Sequence, residues 1–369
     1  MIPGPGLPAG LAVGRSNNNL DVIRHDGRLW LATRTAPTHY ASADARLLVL
    51  VSDDDGASWT HDHSIEMGCD VREPRLVSWQ GRLLLYWFCA GTSGTRFQPD
   101  RIWVIERTGA SDDASGDSTG EEPGWTDRLA ISPPDCVVWR VRPVGGRLLM
   151  TVYRGASALF TAHPVPLTVE LWASDDGLHW SPADPDRPVV HEGGAEAEFI
   201  EVPDGRLAVV VRKEGPEGGW GSDVGVAAAG EPASWTVRHD PRKFDSPLVF
   251  LADGIPHLVA RRQVAFGGRY DLGLRWLPDG LRTKVNMVAY ALTPKRTALF
   301  RIELDGPSAT WLADLPSAGD TAFAGHVTSA DGRGHVIFNY SSPPHRRWWP
   351  WLVGQLRPTH IYSVVIDDL

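Results

Sequence analysis

Carboxylates and arginines stand in matching pairs along this chain. Asp70 is followed by Arg72 and Glu73, Glu198 by Arg212, and Asp245 by Arg261. Further acids at Asp21, Asp135, Glu196 and Asp320 alternate with cations at Arg34, Arg154, Lys213 and Arg262. Brought to one place, carboxyls of this kind do paired acid and base work on a glycosidic bond. Guanidinium groups among them suit a substrate that carries a carboxylate, which they hold through two parallel hydrogen bonds. His39, Tyr40 and Tyr340 could add proton-transfer groups. The indoles of the run from His345 to Trp351 could stack on sugar rings, with Arg346 and Arg347 holding an anionic group. Chemistry of that kind requires a fold that gathers groups from the whole length of the chain.

Internal repetition supplies one. A short apolar run, a glycine turn, then Arg-Leu and a second apolar run recur six times, starting at Leu20, Arg72, Val137, Glu198, Ser246 and Ala324. The turn glycines are Gly27, Gly81, Gly146, Gly205, Gly254 and Gly332, and four of the turns read Asp-Gly, a strong hairpin signal. A third strand-like run follows each hairpin. In five units it leads through a polar turn to a tryptophan: Trp59, Trp125, Trp180, Trp235 and Trp311. Five of the 16 tryptophans thus share one equivalent position, with a fourth strand expected after each. The last unit ends with HIYSVVIDD and leaves no room for its fourth strand, so the stretch around Gly10 to Arg15 is expected to supply it. The reading is a single all-β domain over residues 1–369: a six-bladed β-propeller of four-stranded antiparallel blades, closed by pairing its N- and C-terminal strands.

This geometry sorts the charged residues. Hairpin turns and Trp turns belong to one face. Starts of first strands, ends of second strands and the loops after them belong to the other, where a ligand site at the central depression must form. First-strand starts carry Asp21, Asp70, Arg72, Glu73, Asp135, Glu196, Glu198, Asp245 and Asp320, and second-strand ends carry Arg34, Arg154, Arg212, Lys213, Arg261, Arg262 and Tyr340. The two longest following loops run from about Gln263 to Arg296 and from Ser341 to Thr359.

Two segments resemble a known family. Ser52 to Trp59, SDDDGASW, resembles the Asp-box (BNR repeat) of sialidases and related propellers, and Ser174 to Trp180 looks like the same box shortened by one residue. Arg72-Glu73-Pro74 is similar to the R-x-P segment of an early sialidase blade, and also to the R-D-P motif of five-bladed furanosidases. The sialidase resemblance implies a tyrosine paired with a glutamate as nucleophile, three arginines on the substrate carboxylate and an aspartate as acid/base. Tyr340 or Tyr270 could be that nucleophile, although alignment on Arg72 shifts the blade register and leaves no tyrosine in the family's place. The expected function is an exo-acting, sialidase-like glycoside hydrolase of an anionic sugar. Its expected catalytic residues are Asp21, Glu73, Glu198, Asp245 and Tyr340, and its substrate-binding residues Arg34, His39, Arg72, Arg154, Arg212, Arg261 and Trp348. Three alternatives stand beside it. One is a furanosidase-like hydrolase using Asp21, Glu73 and Asp135 as base, pKa modulator and acid. Another is a polysaccharide lyase with His39 or Tyr340 as base. The third is a carbohydrate- or protein-binding propeller without catalysis.

Composition narrows the partners. A net charge of −9 argues against nucleic acid. No run of 18 apolar residues occurs, so no membrane partner is expected. No metal or cofactor motif is found, and neither is expected. Cys69, Cys89 and Cys136 are too few for a disulfide framework. The Pro/Gly-rich start lacks the features of a signal peptide, so the chain as it stands is expected in the cytoplasm, or outside the cell if it has been trimmed.

Overall fold

Val, Leu and aromatic residues in consecutive strand positions build six antiparallel blades around one axis. The structure, a computed structural model, describes residues 2–94, 96–109, 124–158, 165–215, 219–367 and 369. The first blade is β1 (Ser16–His25), β2 (Arg28–Ala36), β3 (Arg46–Ser52) and β4 (Thr60–Glu66). The second is β5 (Val71–Trp79), β6 (Arg82–Cys89) and β7 (Ile102–Thr108), with two short outer strands, β8 (Gly124–Trp125) and β9 (Leu129–Ala130). The third is β10 (Cys136–Val144), β11 (Arg147–Arg154) and β12 (Thr168–Ser174), again with two outer pieces, β13 (Ser181–Pro182) and β14 (Val189–Glu192). The fourth is β15 (Gly194–Glu201), β16 (Leu207–Gly215), β17 (Gly219–Ala227) and β18 (Trp235–Asp240). The fifth is β19 (Asp245–Ala252), β20 (Ile255–Gln263), β21 (Lys295–Glu303) and β22 (Ser308–Asp314), with helix α1 (Asp279–Ala291) between β20 and β21. The sixth is β23 (Thr321–Thr328), β24 (His335–Ser341) and β25 (His360–Ile366), with the short α2 (Trp351–Gln355) between the last two.

The terminal closure uses a different residue from the one expected. Ile2 pairs with Ile361 through two backbone hydrogen bonds of 3.0 and 2.7 Å and takes the fourth position of the sixth blade. Its side chain is buried with Leu20, Val22, Phe338 and Ile361, an anchor that fixes the pairing. The stretch around Gly10 to Arg15 forms no strand, but its end meets the C-terminal segment, where Arg15 O accepts from Thr359 N at 3.0 Å and Ser16 bridges Thr359. Gly14 N donates to Thr35 Oγ1 at the end of β2.

Between neighbouring blades lies one apolar seam each, six in all around the ring. Burying both faces of each sheet explains why the strands read as near-continuous hydrophobic runs. All six expected hairpin glycines have positive φ, from 73° to 84°. In the first, second, third and fifth hairpins the preceding residue (Asp26, Gln80, Gly145, Asp253) is also left-handed, giving the tight turn that matches strand twist. At Asp204-Gly205 and Asp331-Gly332 the aspartate instead accepts a backbone N–H two residues on, within longer loops. In the turn before Trp59, Asp54 accepts from Ser58 N (2.7 Å) and Ser58 Oγ (2.6 Å). Before Trp180, Asp176 accepts from Leu178 N and His179 N, both at 2.8 Å. Residues 121–123 of the turn before Trp125 lie outside the described residues. Cys69 and Cys89 are joined as a disulfide between the start of β5 and the end of β6, a pairing the cysteine count did not suggest. Cys136 is free and buried.

Candidate active site

The innermost strand of every blade carries a β-bulge. An extra residue at such a point turns a side chain out of the strand's regular alternation. Asn19, Glu73, Ser246 and Phe323 take positive φ there, between 45° and 53°, a backbone that non-glycine residues rarely adopt. Together with Glu196 in the β15 bulge, they line one cavity of about 350 Å³ at the axis. That volume is in the range that takes a small ligand.

Seven of the twelve expected site residues meet in this cavity: His39, Arg72, Glu73, Arg212, Asp245, Arg261 and Tyr340. Arg72 is paired with Asp70 and donates to His39 O at 3.0 Å. Arg34 is fully buried and does not reach the cavity; its Nε holds Asp70 Oδ1 at 2.8 Å and so backs up Arg72. His39 Nδ1 lies 2.6 Å from Asp320 Oδ2, while Asp320 Oδ1 accepts from Tyr340 Oη and Trp351 Nε1, both at 3.0 Å.

Four expected residues lie elsewhere. Inner strands run from the cavity towards the hairpin face, so residues two positions further along open at the other end of the axis. Asp21 and Glu198 sit there, tied to Arg140 at 3.2 and 2.6 Å, and Asp21 lines a smaller cavity of about 140 Å³. Between the two ends, Arg75 is stacked on Trp139 (4.7 Å) and Phe323 (6.0 Å) and closes the axis. Arg154 is part-exposed beside Glu170 (3.5 Å), and Trp348 points into solvent. Asp135 of the furanosidase alternative caps a loop, accepting from Gly155 N and Ser157 N, and does not converge with Asp21 and Glu73.

Residues outside the repeat-derived set complete the cavity. Tyr290 projects from the last turn of α1 and donates its hydroxyl to Asp245 Oδ2. Arg261 Nε lies 3.3 Å from both partners of that pair. Lys243 Nζ sits 3.3 Å from Asp245 and 3.1 Å from Glu214, over the Tyr270 ring at 4.4 Å. Arg212 bridges Glu196 (2.6 Å), Glu214 (2.7 Å) and Asp245 (3.6 Å). Trp351, rather than Trp348, brings the aromatic loop of the sixth blade to the cavity, stacked on Arg261 at 4.7 Å. Acids at blade starts and cations at strand ends signalled the rim; Tyr290 sits on an insertion whose fold no repeat dictates.

The carboxyls are held in different states. Glu73 is buried with Oε2 unpartnered, and burial, then the charge of Glu196, push it up to about 8 against Arg75, Arg72 and Arg212. Burial also raises Glu196, with Asp245 adding to it and Arg212 opposing. Burial raises Asp245 as well, but Lys243, Arg261 and Arg212 together outweigh it and hold the carboxyl below the usual range. The site thus pairs an acid that keeps its proton near neutrality with a carboxylate that stays ionised, an arrangement suited to acid/base work. Among the described residues, no group of three or more His, Cys, Asp or Glu is placed to hold a metal ion.

Solved structures share the architecture. A protein of unknown function from Dyadobacter fermentans matches 96% of this chain and 95% of its own, at 14% identity and a TM-score of 0.63. Trypanosoma rangeli sialidase in complex with the inhibitor DANA matches 95% of this chain at 13% identity and a TM-score of 0.62. The endosialidase of phage phi92 matches 97% of this chain and 67% of its own, at 9% identity and a TM-score of 0.59. The chain spans 55% of the length of the trypanosomal sialidase chain. At these identities the likeness is one of fold: a six-bladed β-propeller, as in sialidases and endosialidases. No protein-family model and no curated protein matches the chain.

Proposed function

We propose that the protein is a glycoside hydrolase acting on a sugar that bears a carboxylate. The observation that carries this reading is the Tyr290–Asp245 pair, set in one cavity with Arg72, Arg212, Arg261 and a Glu73 whose carboxyl burial pushes up to about 8. The three arginines bind the substrate carboxylate. Glu73 gives its proton to the leaving glycosidic oxygen as that bond to the anomeric carbon breaks. Tyr290 Oη forms the new bond to the anomeric carbon and passes its proton to Asp245 Oδ2. Water then attacks the glycosyl-tyrosine, giving a proton to the Glu73 carboxylate, while Tyr290 leaves and recovers its own from Asp245. Two displacements retain anomeric configuration. Asp245 is a weak base while Lys243, Arg212 and Arg261 all face it. An incoming carboxylate that draws the two arginines raises its basicity, so catalysis is coupled to an anionic substrate.

The ion pairs that hold Arg72, Arg212 and Arg261 to Asp70, Glu196 and Asp245 favour a second reading, sugar binding without hydrolysis. A panel of aryl glycosides separates the two. The hydrolase reading expects turnover of a carboxylate-bearing member, such as a sialoside or uronide, and none of neutral hexosides. Tyr290→Phe should lower kcat by at least about a hundredfold, and Arg72→Ala should raise KM. Saturable binding of the free sugar acid with no turnover supports the second reading. Turnover unchanged in both variants rejects the site.

A further inference from the structure

Two insertions frame the cavity mouth, residues 264–294 in the fifth blade and 342–359 in the sixth. They pack on each other: Trp351 N donates to Thr293 O at 3.1 Å, Pro294 bridges Pro350, and the Tyr290 and Trp351 rings meet edge to face at 5.5 Å. Their outer surface is unlike the rest of the molecule. Nine of the seventeen large exposed apolar side chains among the described residues lie on these two short segments, including the two most exposed, Trp276 at 77% and Trp348 at 75%. Helix α1 is turned inside out. Its polar Asn286 is buried with Tyr290, while Leu281, Met287 and Val288 face water. The same segments carry seven basic and two acidic residues, in a chain whose net charge is −9. Arg275, Lys284, Arg346, Arg347 and Arg357 are exposed.

We propose that this collar docks the molecule on an anionic lipid surface, with the cavity facing that surface. Exposed indoles and aliphatic side chains flanked by Arg and Lys are what an interfacial helix presents to headgroups and the acyl boundary. Such a surface rests on the membrane and does not cross it; none of the described helices is long and apolar enough to span one. A second copy of this chain is the competing occupant, but a two-fold contact would set one basic patch against another. Met287 belongs both to the exposed face of α1 and to the cavity lining, so what lies on the collar is continuous with what enters the site. Where the hydrolase reading holds, the substrate class is therefore a glycolipid, an anionic sugar on an apolar aglycone.

The test is co-sedimentation of the full chain with vesicles of phosphatidylcholine alone and of phosphatidylcholine with about one-third phosphatidylserine. The proposal expects pelleting with the anionic vesicles only, release by high salt, and a blue shift of tryptophan emission on binding. Trp276→Ser with Val288→Ser should weaken binding at least about tenfold. Arg346→Gln with Arg347→Gln, a second exposed pair, should weaken it and flatten its salt dependence. No pelleting, or equal pelleting on neutral vesicles, overturns the proposal. So does a concentration-dependent dimer that the Trp276/Val288 variant abolishes, since the occupant is then a second copy. Vesicle binding with no turnover of any glycoside upholds the docking surface and removes the hydrolase reading alone.

Discussion

Glu73 concentrates the chemistry of the site in one side chain. It stands at a bulge with φ of 53°, buried, with an unpartnered oxygen and an acidity lowered to a pKa of about 8 by burial and by Glu196. As the acid, it must be protonated, so turnover is expected to fall as pH rises through about 8. Glu73→Gln should abolish that alkaline limb and cost most on substrates with poor leaving groups, as pH–rate profiles of the two proteins would show. A limb that persists in the variant places the acid elsewhere. Stability moves with the same proton. The folded value lies above the unfolded one, so the contribution is full below about pH 4 and is lost as pH rises towards 8. Thermal melts of Glu73→Gln should therefore lose less stability than the wild type between pH 5 and pH 9. Seven of the expected residues line the cavity because strand starts, strand ends and the loops after them surround the axis on one face. Depth was not readable. Asp21 and Glu198 follow two residues after the bulge residues Asn19 and Glu196, and because the bulge breaks the strand alternation the sequence does not say which level opens to the cavity.

Strands and turns carry the next level of the account. Hairpins were legible from glycine turns and apolar runs, but the bulges that aim Glu73, Ser246 and Phe323 were not. The left-handed conformation falls on residues that do not ordinarily seek it, and the surrounding blades impose it. Insertions were legible only as long gaps, so the sequence did not point to Tyr290 on α1; Lys243 stands in the short connection from β18 to β19, just ahead of a strand start. At the opposite end of the axis, hairpin β23–β24 brings His326 Nε2 within 2.9 Å of His335 Nδ1, with His326 stacked on Phe250 at 4.3 Å between ring centres. Burial, then the charges of His335 and Arg142, lower His326 to about 3. Its folded value lies below the unfolded one, so it stays neutral, and stability falls as pH drops below about 6.5. His326→Phe keeps the ring contact and removes the proton site. Its melting temperature should decline less than that of the wild type between pH 7 and pH 4.5, and parallel curves would contradict that assignment.

Six apolar seams and two terminal pairings, Ile2 with Ile361 and Ser16 with Thr359, hold the ring as a whole. Repeat counting made the six blades legible, because each hairpin recurs about every 60 residues. It foresaw the contact at the end of the Gly10–Arg15 stretch, where Arg15 O accepts from Thr359 N, but not Ile2, a single buried isoleucine that pairs with Ile361 without a strand pattern of its own. Ile2→Ala removes buried apolar surface at the point where the ring closes and should cost about 2–5 kcal/mol in denaturant unfolding. A cost near zero would mean that the Ile2–Ile361 pair does not fasten the ring. Thiol titration in denaturant should find one free thiol, Cys136, before reduction and three after, matching the Cys69–Cys89 bridge. Attack by Tyr290 on an anionic sugar within this ring would leave a covalent trace. Its most direct measurement is intact-mass and peptide mapping after incubation with an activated fluoro-glycoside of the sugar acid that the panel identifies. The account predicts one glycosyl adduct per chain, on Tyr290 and absent from Tyr290→Phe. An adduct on Asp245 or Glu73, or turnover with no trapped species, would contradict it.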